Sequence, residues 1–249
     1  MKVLLSPSKS QNYQRNLLHL DIRRPKFWSQ SLNLLSYLQR LTPDELGKLM
    51  SISPKLQELN FERFSQMQPD MSLENSKPCI QAFTGDVYSG FDLEEYSKQD
   101  YLFADKTIRI ISGFYGILKP LDSIQPYRLE MKTKLQTASA KNLYEHWSKL
   151  VTDFLNQEGD LILNLASKEY SSVIDLKHLR LKLLSADFYE LRDGKPKIIA
   201  IYAKKARGVM ADWIVRNRVE DVESLKSFDL MSYKFNAERS TDKALVFER

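Results

Sequence analysis

Lys204, Lys205 and Arg207 crowd one short stretch, Tyr-Ala-Lys-Lys-Ala-Arg-Gly at 202–208, directly after an apolar run expected to be a strand at Lys197–Tyr202. A helix is expected from Ala203 to Arg218, which places these cations at its start. The exposed N–H groups of a helix N-terminus already carry about half a positive charge, so clustered cations repel it and one another unless an anion sits among them. The chemistry implied is phosphate binding at the first turn of this helix. The competing reading is a solvated basic surface, with Asp212 and Arg216 paired one turn apart.

Other residues of the same chemistry follow the other apolar runs. Ser6-Pro7-Ser8-Lys9 follows Val3–Leu5, Thr84-Gly85-Asp86-Val87-Tyr88-Ser89-Gly90 follows Ile80–Phe83, and Ser112-Gly113-Phe114-Tyr115-Gly116 follows Ile108–Ile111. Ala166-Ser167-Lys168-Glu169-Tyr170 follows Leu161–Leu165. Ligands of open α/β sheets bind outside the carboxyl ends of the strands, where such loops converge. If three of these strands are parallel, Ser6, Lys9, Lys168, Lys204, Lys205 and Arg207 can share one cleft, with Tyr88 and Tyr115 as stacking surfaces beside the cations. Singly, each feature has a plainer reading: Ser6-Pro7 as a helix cap, Gly85 and Gly90 as turn residues, the two tyrosines as core aromatics.

Three carboxylates are candidates for acid or base work: Asp86, Asp122 and Glu130. Pro120 and Pro126 stiffen the segment around Asp122 and Arg128, and a rigid loop holds a guanidinium and a carboxylate at fixed positions. Arg128 and Glu130, two apart, point the same way if that segment is extended and are expected to pair. No metal or cofactor is expected. His19, His146 and His178 are far apart, none with a partner at ligand spacing, and no Walker loop, Gly-x-Gly-x-x-Gly or Gly-x-Ser-x-Gly is present. Cys79, the single cysteine, reads as a small buried hydrophobe and excludes an internal disulfide.

The elements that must position these residues are strands at the runs above, with further strands at Leu181–Tyr189 and Ala244–Phe247, and helices at Phe27–Leu41, Pro43–Met50, Pro54–Met67 and Asn142–Asn156. Thr42 and Ser53 are the expected caps before Pro43 and Pro54. Arg192–Pro196 is a turn signal, so the strands on either side should form an antiparallel hairpin and the sheet should be mixed. The expected fold is α/β or α+β: a mixed sheet flanked by helices, one compact domain over 1–249 with a central positive cleft. The stretch 25–75 is a candidate helical subdomain.

Composition fits that reading. The 249 residues are 43% apolar, and 37 basic against 32 acidic side chains leave a net charge of +5. An anionic partner is thereby permitted without being demanded. The longest apolar run, Ile198–Ala203, is far short of the roughly 20 residues that span a bilayer, so no membrane role is expected. The start of the chain reads as a strand rather than a signal peptide, so a cytoplasmic protein is expected. At 100° per residue, Ala206, Val209, Met210, Trp213 and Ile214 form one stripe that must face the core, while the cations split between two flanks. A recognition helix lying in a DNA groove would have a single basic face instead.

Six ordered motifs carry a resemblance: Ser-Pro-Ser-Lys at 6–9, Gly-Asp-Val-Tyr-Ser-Gly at 85–90, Ser-Gly-Phe-Tyr-Gly-Ile-Leu-Lys-Pro-Leu-Asp at 112–122, Gln-Pro-Tyr-Arg-Leu-Glu-Met at 125–131, Asn-Leu-Ala-Ser-Lys-Glu-Tyr at 164–170 and Tyr-Ala-Lys-Lys-Ala-Arg-Gly at 202–208. Together they closely resemble the bacterial YaaA family. The resemblance implies a cytoplasmic protein of the peroxide-stress response that limits damage from iron and hydrogen peroxide. It also implies an α/β body with a positive cleft and a helix-hairpin-helix-like DNA-binding element. Gly113-Phe114-Tyr115-Gly116 is similar to that hairpin, with two residues between its glycines where the usual hairpin has one. Three functions stay open: DNA binding through phosphates, an enzyme acting on a nucleobase or nucleotide in the same cleft, and sequestration of iron.

Overall fold

Val3, Leu4 and Leu5 are all fully buried, the pattern of a strand covered on both faces. In the computed structural model, which describes residues 1–14, 21 and 23–249, this run is β1 (Lys2–Leu5). The chain continues through α1 (Trp28–Leu38), α2 (Pro43–Met50), α3 (Pro54–Gln66), β2 (Lys77–Pro78), α4 (Cys79–Ala82), α5 (Lys98–Thr107), β3 (Ile108–Ser112), β4 (Gly116–Leu118), β5 (Ser123–Ile124), α6 (Leu143–Leu155), β6 (Leu161–Asn164) and α7 (Lys168–Ser171). Then come β7 (Lys182–Arg192), β8 (Lys195–Lys197), α8 (Ala200–Arg216), α9 (Val222–Leu225), β9 (Lys234–Asn236) and β10 (Ala244–Glu248).

The fold is mixed α/β, as expected. The main sheet has the order β4-β3-β1-β6-β7-β10-β9, with β8 paired to β7. Strands β3, β1, β6, β7 and β10 are parallel, while β4, β8 and β9 are antiparallel additions. The chain leaves β1 to form β3 on one side and returns to place β6 on the other. The boundary between β1 and β6 is therefore the topological switch point, where the loops after the strands diverge and leave a crevice. Leu34, Leu35, Leu38, Leu46, Met50 and Phe64 of the first three helices belong to the same continuous core as the central strands.

Local chemistry explains most element boundaries. Thr42 and Glu45 form a reciprocal capping box at α2, with Pro43 in its first turn. Ser53 precedes Pro54 but makes no side-chain cap. The turn between β7 and β8 has Asp193 at φ 52° and Gly194 at φ 71°, the two positive angles that a tight two-residue hairpin requires.

Two assignments are corrected. Ile80–Phe83 is not a strand: Cys79–Ala82 is the short helix α4, with the Cys79 N–H donated to Asp122 O at 2.8 Å. So short a run fits either element, and here contact with the 119–122 loop decides. The strand expected at Lys197–Tyr202 stops at Lys197, and α8 begins at Ala200. Its first turn, Ala200–Ala203, therefore carries no cation. Lys204 and Arg207 lie in its second and third turns, so their chemistry does not come from the helix end.

Helix α8 is buried on more than the single stripe expected: Ala206, Met210 and Ile214 face the core, and so do Ala203, Gly208, Ala211 and Val215. The second buried side meets the 3₁₀ turn Tyr88–Gly90. A Cβ on Gly208 would lie 1.8 Å from Val87 O, and one on Gly90 would lie 2.5 Å from the Val209 nitrogen. Backbone touches backbone here, and neither side can retreat without moving an element. Gly208→Ala is expected to lose about 2–3 kcal/mol of stability, a fall in Tm of roughly 5–10 °C for a chain of this size. The exposed Lys205→Ala should change stability by less than about 0.5 kcal/mol; thermal melts of both variants check this.

Candidate functional site

The crevice at the β1/β6 boundary is a cleft of about 700 Å³. Its floor is the two post-strand loops, Ser6–Ser10 and Leu165–Tyr170, and its walls are Thr84–Tyr88 and α8. Ser6 ties the loops together: its Oγ accepts the Ser167 N–H at 2.9 Å and lies 3.3 Å from Ser167 Oγ. Ser8 Oγ accepts the Ser10 N–H at 3.1 Å. Tyr88 braces the wall, its hydroxyl donating to Ser6 O at 2.9 Å.

Of the residues singled out from sequence, Ser6, Lys9, Asp86, Tyr88, Lys168, Lys204 and Arg207 all line this cleft. Lys204 Nζ stands 3.8 Å from Asp86 Oδ2. Arg207 is half-buried, and among the described residues its enclosed Nε has no hydrogen-bond partner. Burial lowers its pKa, with the charge of Asp187 on β7 partly offsetting that. Burial likewise raises the Asp187 carboxyl, opposed by Arg207.

Lys9 also lines a second concavity of about 540 Å³, with Lys48, Arg128, Glu130, Lys132 and Lys134. Glu130 is its hub. The carboxylate lies 2.9 Å from Lys9, 2.9 Å from Arg128 and 3.4 Å from Lys132, so the expected Arg128–Glu130 pair is present. Burial pushes the Glu130 carboxyl up, but hydrogen bonds from Lys9 and Arg128 outweigh it and hold the pKa below the usual range. Across both concavities eight cations face three carboxylates, Asp86, Glu130 and Glu169.

Several candidates do not belong to this surface. Gly113, Tyr115 and Gly116 form the buried turn between β3 and β4. The Phe114 and Tyr115 N–H groups donate to Ser112 Oγ at 3.2 and 3.0 Å, and Gly113 O accepts the Trp147 indole N–H at 2.9 Å. This segment is strand–turn–strand rather than helix-hairpin-helix, and those amides are already taken. The Tyr115 ring is fully buried and its hydroxyl accepts the Gln125 N–H at 3.0 Å; Tyr88 is 4% exposed, so neither ring is a stacking surface. Asp122 is buried away from the cleft and pairs with Arg23 at 2.7 Å. Lys205 is exposed and lies outside the cleft lining.

Sequence reasoning missed Ser10, Lys48, Lys132, Lys134 and Asp187. Lys132 and Lys134 come directly after the 125–131 motif, and that spacing was a usable signal. Nothing in the sequence ties Lys48, on α2, to this place. His19 lies outside the described residues. Among the described residues no three His, Cys, Asp or Glu side chains gather as a metal site, and no helix is long and apolar enough to cross a membrane.

A family model described as peroxide stress protein YaaA matches residues 1–239. The chain belongs to the YaaA family. Relatives include the UPF0246 proteins of Aliivibrio fischeri strains ATCC 700601 / ES114 and MJ11, each 41% identical over 254 aligned positions that cover 100% of this chain and 98% of the relative. For a family tied to peroxide stress, the state of the sulfurs matters. Cys79 is fully buried, its Sγ donating to Lys119 O at 3.1 Å, and burial pushes its thiol pKa well up. All seven methionines are buried or half-buried.

Two outcomes are expected. Native Cys79 should resist a thiolate-selective reagent at neutral pH and react fully once the protein is denatured. Because the folded Glu130 pKa is depressed, its stabilisation is present above the ordinary glutamate pKa and is lost as pH falls through the folded value. Glu130→Gln should therefore cost roughly 1–2 kcal/mol at neutral pH, with the gap to wild type closing in acid, as read by denaturant titrations at several pH values.

Proposed function

We propose that the protein serves the peroxide-stress response by binding DNA through its phosphates along the strip formed by the two concavities. The observation that carries this reading is that Lys9 lines both. The cations thus form one continuous track, from Lys204 and Arg207 through Lys168 and Lys9 to Arg128, Lys132 and Lys134. A track longer than one anion suits a polyanion, and cations spread over several elements suit backbone contact rather than base reading. Buried Tyr88 and Tyr115 leave the track without stacking platforms, which favours duplex over single strands.

A protein that neutralises phosphates displaces the counterions condensed on them. Ferrous iron held on DNA as a counterion would be displaced in the same way, away from the bonds that its reaction with peroxide breaks. Limitation of iron damage then needs no iron site on the protein. A second reading, chemistry on a nucleobase or nucleotide, keeps Asp86 as the acid or base, because of the three candidate carboxylates Asp86 alone lines the main cleft. Loss of product from damaged-DNA or nucleotide substrates in Asp86→Asn would support it, and equal product in variant and wild type would remove it.

Fluorescence anisotropy with duplex DNA tests the first reading. If about four phosphates are neutralised, log affinity should fall with log salt at a slope of roughly −3 to −4. Lys9→Ala/Lys168→Ala/Lys204→Ala should flatten that slope by about 3, while Lys205→Ala leaves binding nearly unchanged. Affinity that ignores salt, or that survives the triple variant, overturns the reading.

A further inference from the structure

The two concavities are built differently. The second has its own counter-ion, Glu130, contacted by Lys9, Arg128 and Lys132. In the main cleft Arg207 has no such partner: its Nε is enclosed without a hydrogen bond, and Asp187 is the one opposite charge that acts on it among the described residues. A guanidinium withdrawn from water is costly unless hydrogen-bonded by an anion, and its planar fork matches carboxylate or phosphate oxygens in pairs.

The groups around Arg207 narrow the choice of anion. Ser6, Ser8, Ser10, Thr84 and Ser167 contribute hydroxyls to the cleft. The Ser8 oxygen already accepts the Ser10 N–H, so its proton is available to donate. Lys168 and Lys204 add ammonium groups at the rim. Such a density of donors suits three terminal oxygens and close to two negative charges better than the two oxygens and single charge of an internal phosphodiester. A phosphate monoester has that form at neutral pH, its second pKa lying near 6. The volume of about 700 Å³ is that of a site for one small ligand. Its position at the switch point of a parallel sheet is where such ligands are held.

We infer that this cleft is a phosphate-monoester site anchored by Arg207, taking the terminal phosphate of a nucleic-acid strand or the phosphate of a free mononucleotide. The strand-end source rests on the DNA reading above; the mononucleotide source does not. On DNA, the cleft then holds the end of a strand while the Lys9–Lys134 track holds the phosphates leading to it. Asp86 and Glu169 are the two carboxylates of the lining; by charge they would suit the sugar hydroxyls or base rather than the phosphate.

The test uses the full chain with hairpin DNA of one sequence, bearing a 5′-phosphate, a 3′-phosphate or only hydroxyl ends, in anisotropy titrations. Calorimetry with a nucleoside monophosphate and its nucleoside runs alongside. One phosphorylated end should bind about tenfold tighter than hydroxyl ends, and the preference should shrink below about pH 6 as the monoester takes up a proton. Arg207→Lys, which keeps charge but loses the fork, should bring the ratio close to one. Ser8→Ala/Lys168→Ala should reduce it too, and this variant keeps the inference testable if the half-buried arginine is needed for folding. Equal binding of all three hairpins, with the nucleoside monophosphate binding no better than its nucleoside, overturns the inference and leaves the DNA reading standing; equal hairpins with monophosphate preferred keep the site and remove the strand-end source. Binding of the monophosphate but of no hairpin upholds the site and overturns the DNA reading. Binding of neither overturns both.

Discussion

Gly90 and Gly208 are the contact on which the site depends. A helix normally stands off its neighbour by the thickness of its side chains; here α8 lies directly on the Val87–Gly90 backbone, which a Cβ at either glycine would forbid. That approach brings the loop after α4 and the third turn of α8 together over the β1/β6 boundary. Arg207, one residue before Gly208, and Lys204, one turn earlier, then reach the crevice that β1 and β6 open. The sheet supplies the crevice by topology, and the glycine pair supplies the wall that makes it a cleft.

Charge is distributed with the same economy. Glu130 gathers Lys9, Arg128 and Lys132 and keeps three mutually repelling groups at fixed positions. It stabilises the second concavity when no ligand is present, and it competes with any anion that enters. Arg207 is treated in the opposite way: among the described residues its Nε is enclosed without a hydrogen bond, and only the charge of Asp187 acts against its burial. One half of the surface therefore fixes its cations by pairing them, and the other encloses a guanidinium whose Nε is left without a hydrogen bond among the described residues.

Much of this was legible in the sequence because it derives from strand order. Ser6, Lys9, Lys168 and the loop at Asp86 each come after a short apolar run, and parallel strands bring their trailing loops to one edge. One run departs from that rule: the residues before Asp86 form a helix, yet the loop after them still reaches the cleft, through α8 rather than through the sheet. The boundary at Ile198–Ala203 was illegible because six apolar residues in a row have no period to read. Tyr88 and Tyr115 show the limit for aromatics, since a ring beside cations in sequence can turn wholly inward in space. Arg128 and Glu130 were readable as a pair from spacing alone; that Asp122, close to them in the chain, pairs instead with Arg23 is a long-range fact that no local pattern carries. Asp187 was hidden because it sits within a strand whose other residues alternate in the ordinary way.

The eight sulfur atoms have a consequence of their own. Hydrogen peroxide attacks thiolates first and thioethers next, at a rate set by access. Cys79 is neither exposed nor ionised, and no methionine is left on the open surface. Peroxide therefore meets no accessible thiol here, and its slow reaction with thioethers is limited to methionines that are at least half-buried. The polar groups that line the two concavities are amines, guanidines, carboxylates and hydroxyls, which peroxide leaves alone, so a surface of this chemistry survives conditions that inactivate sulfur-dependent sites.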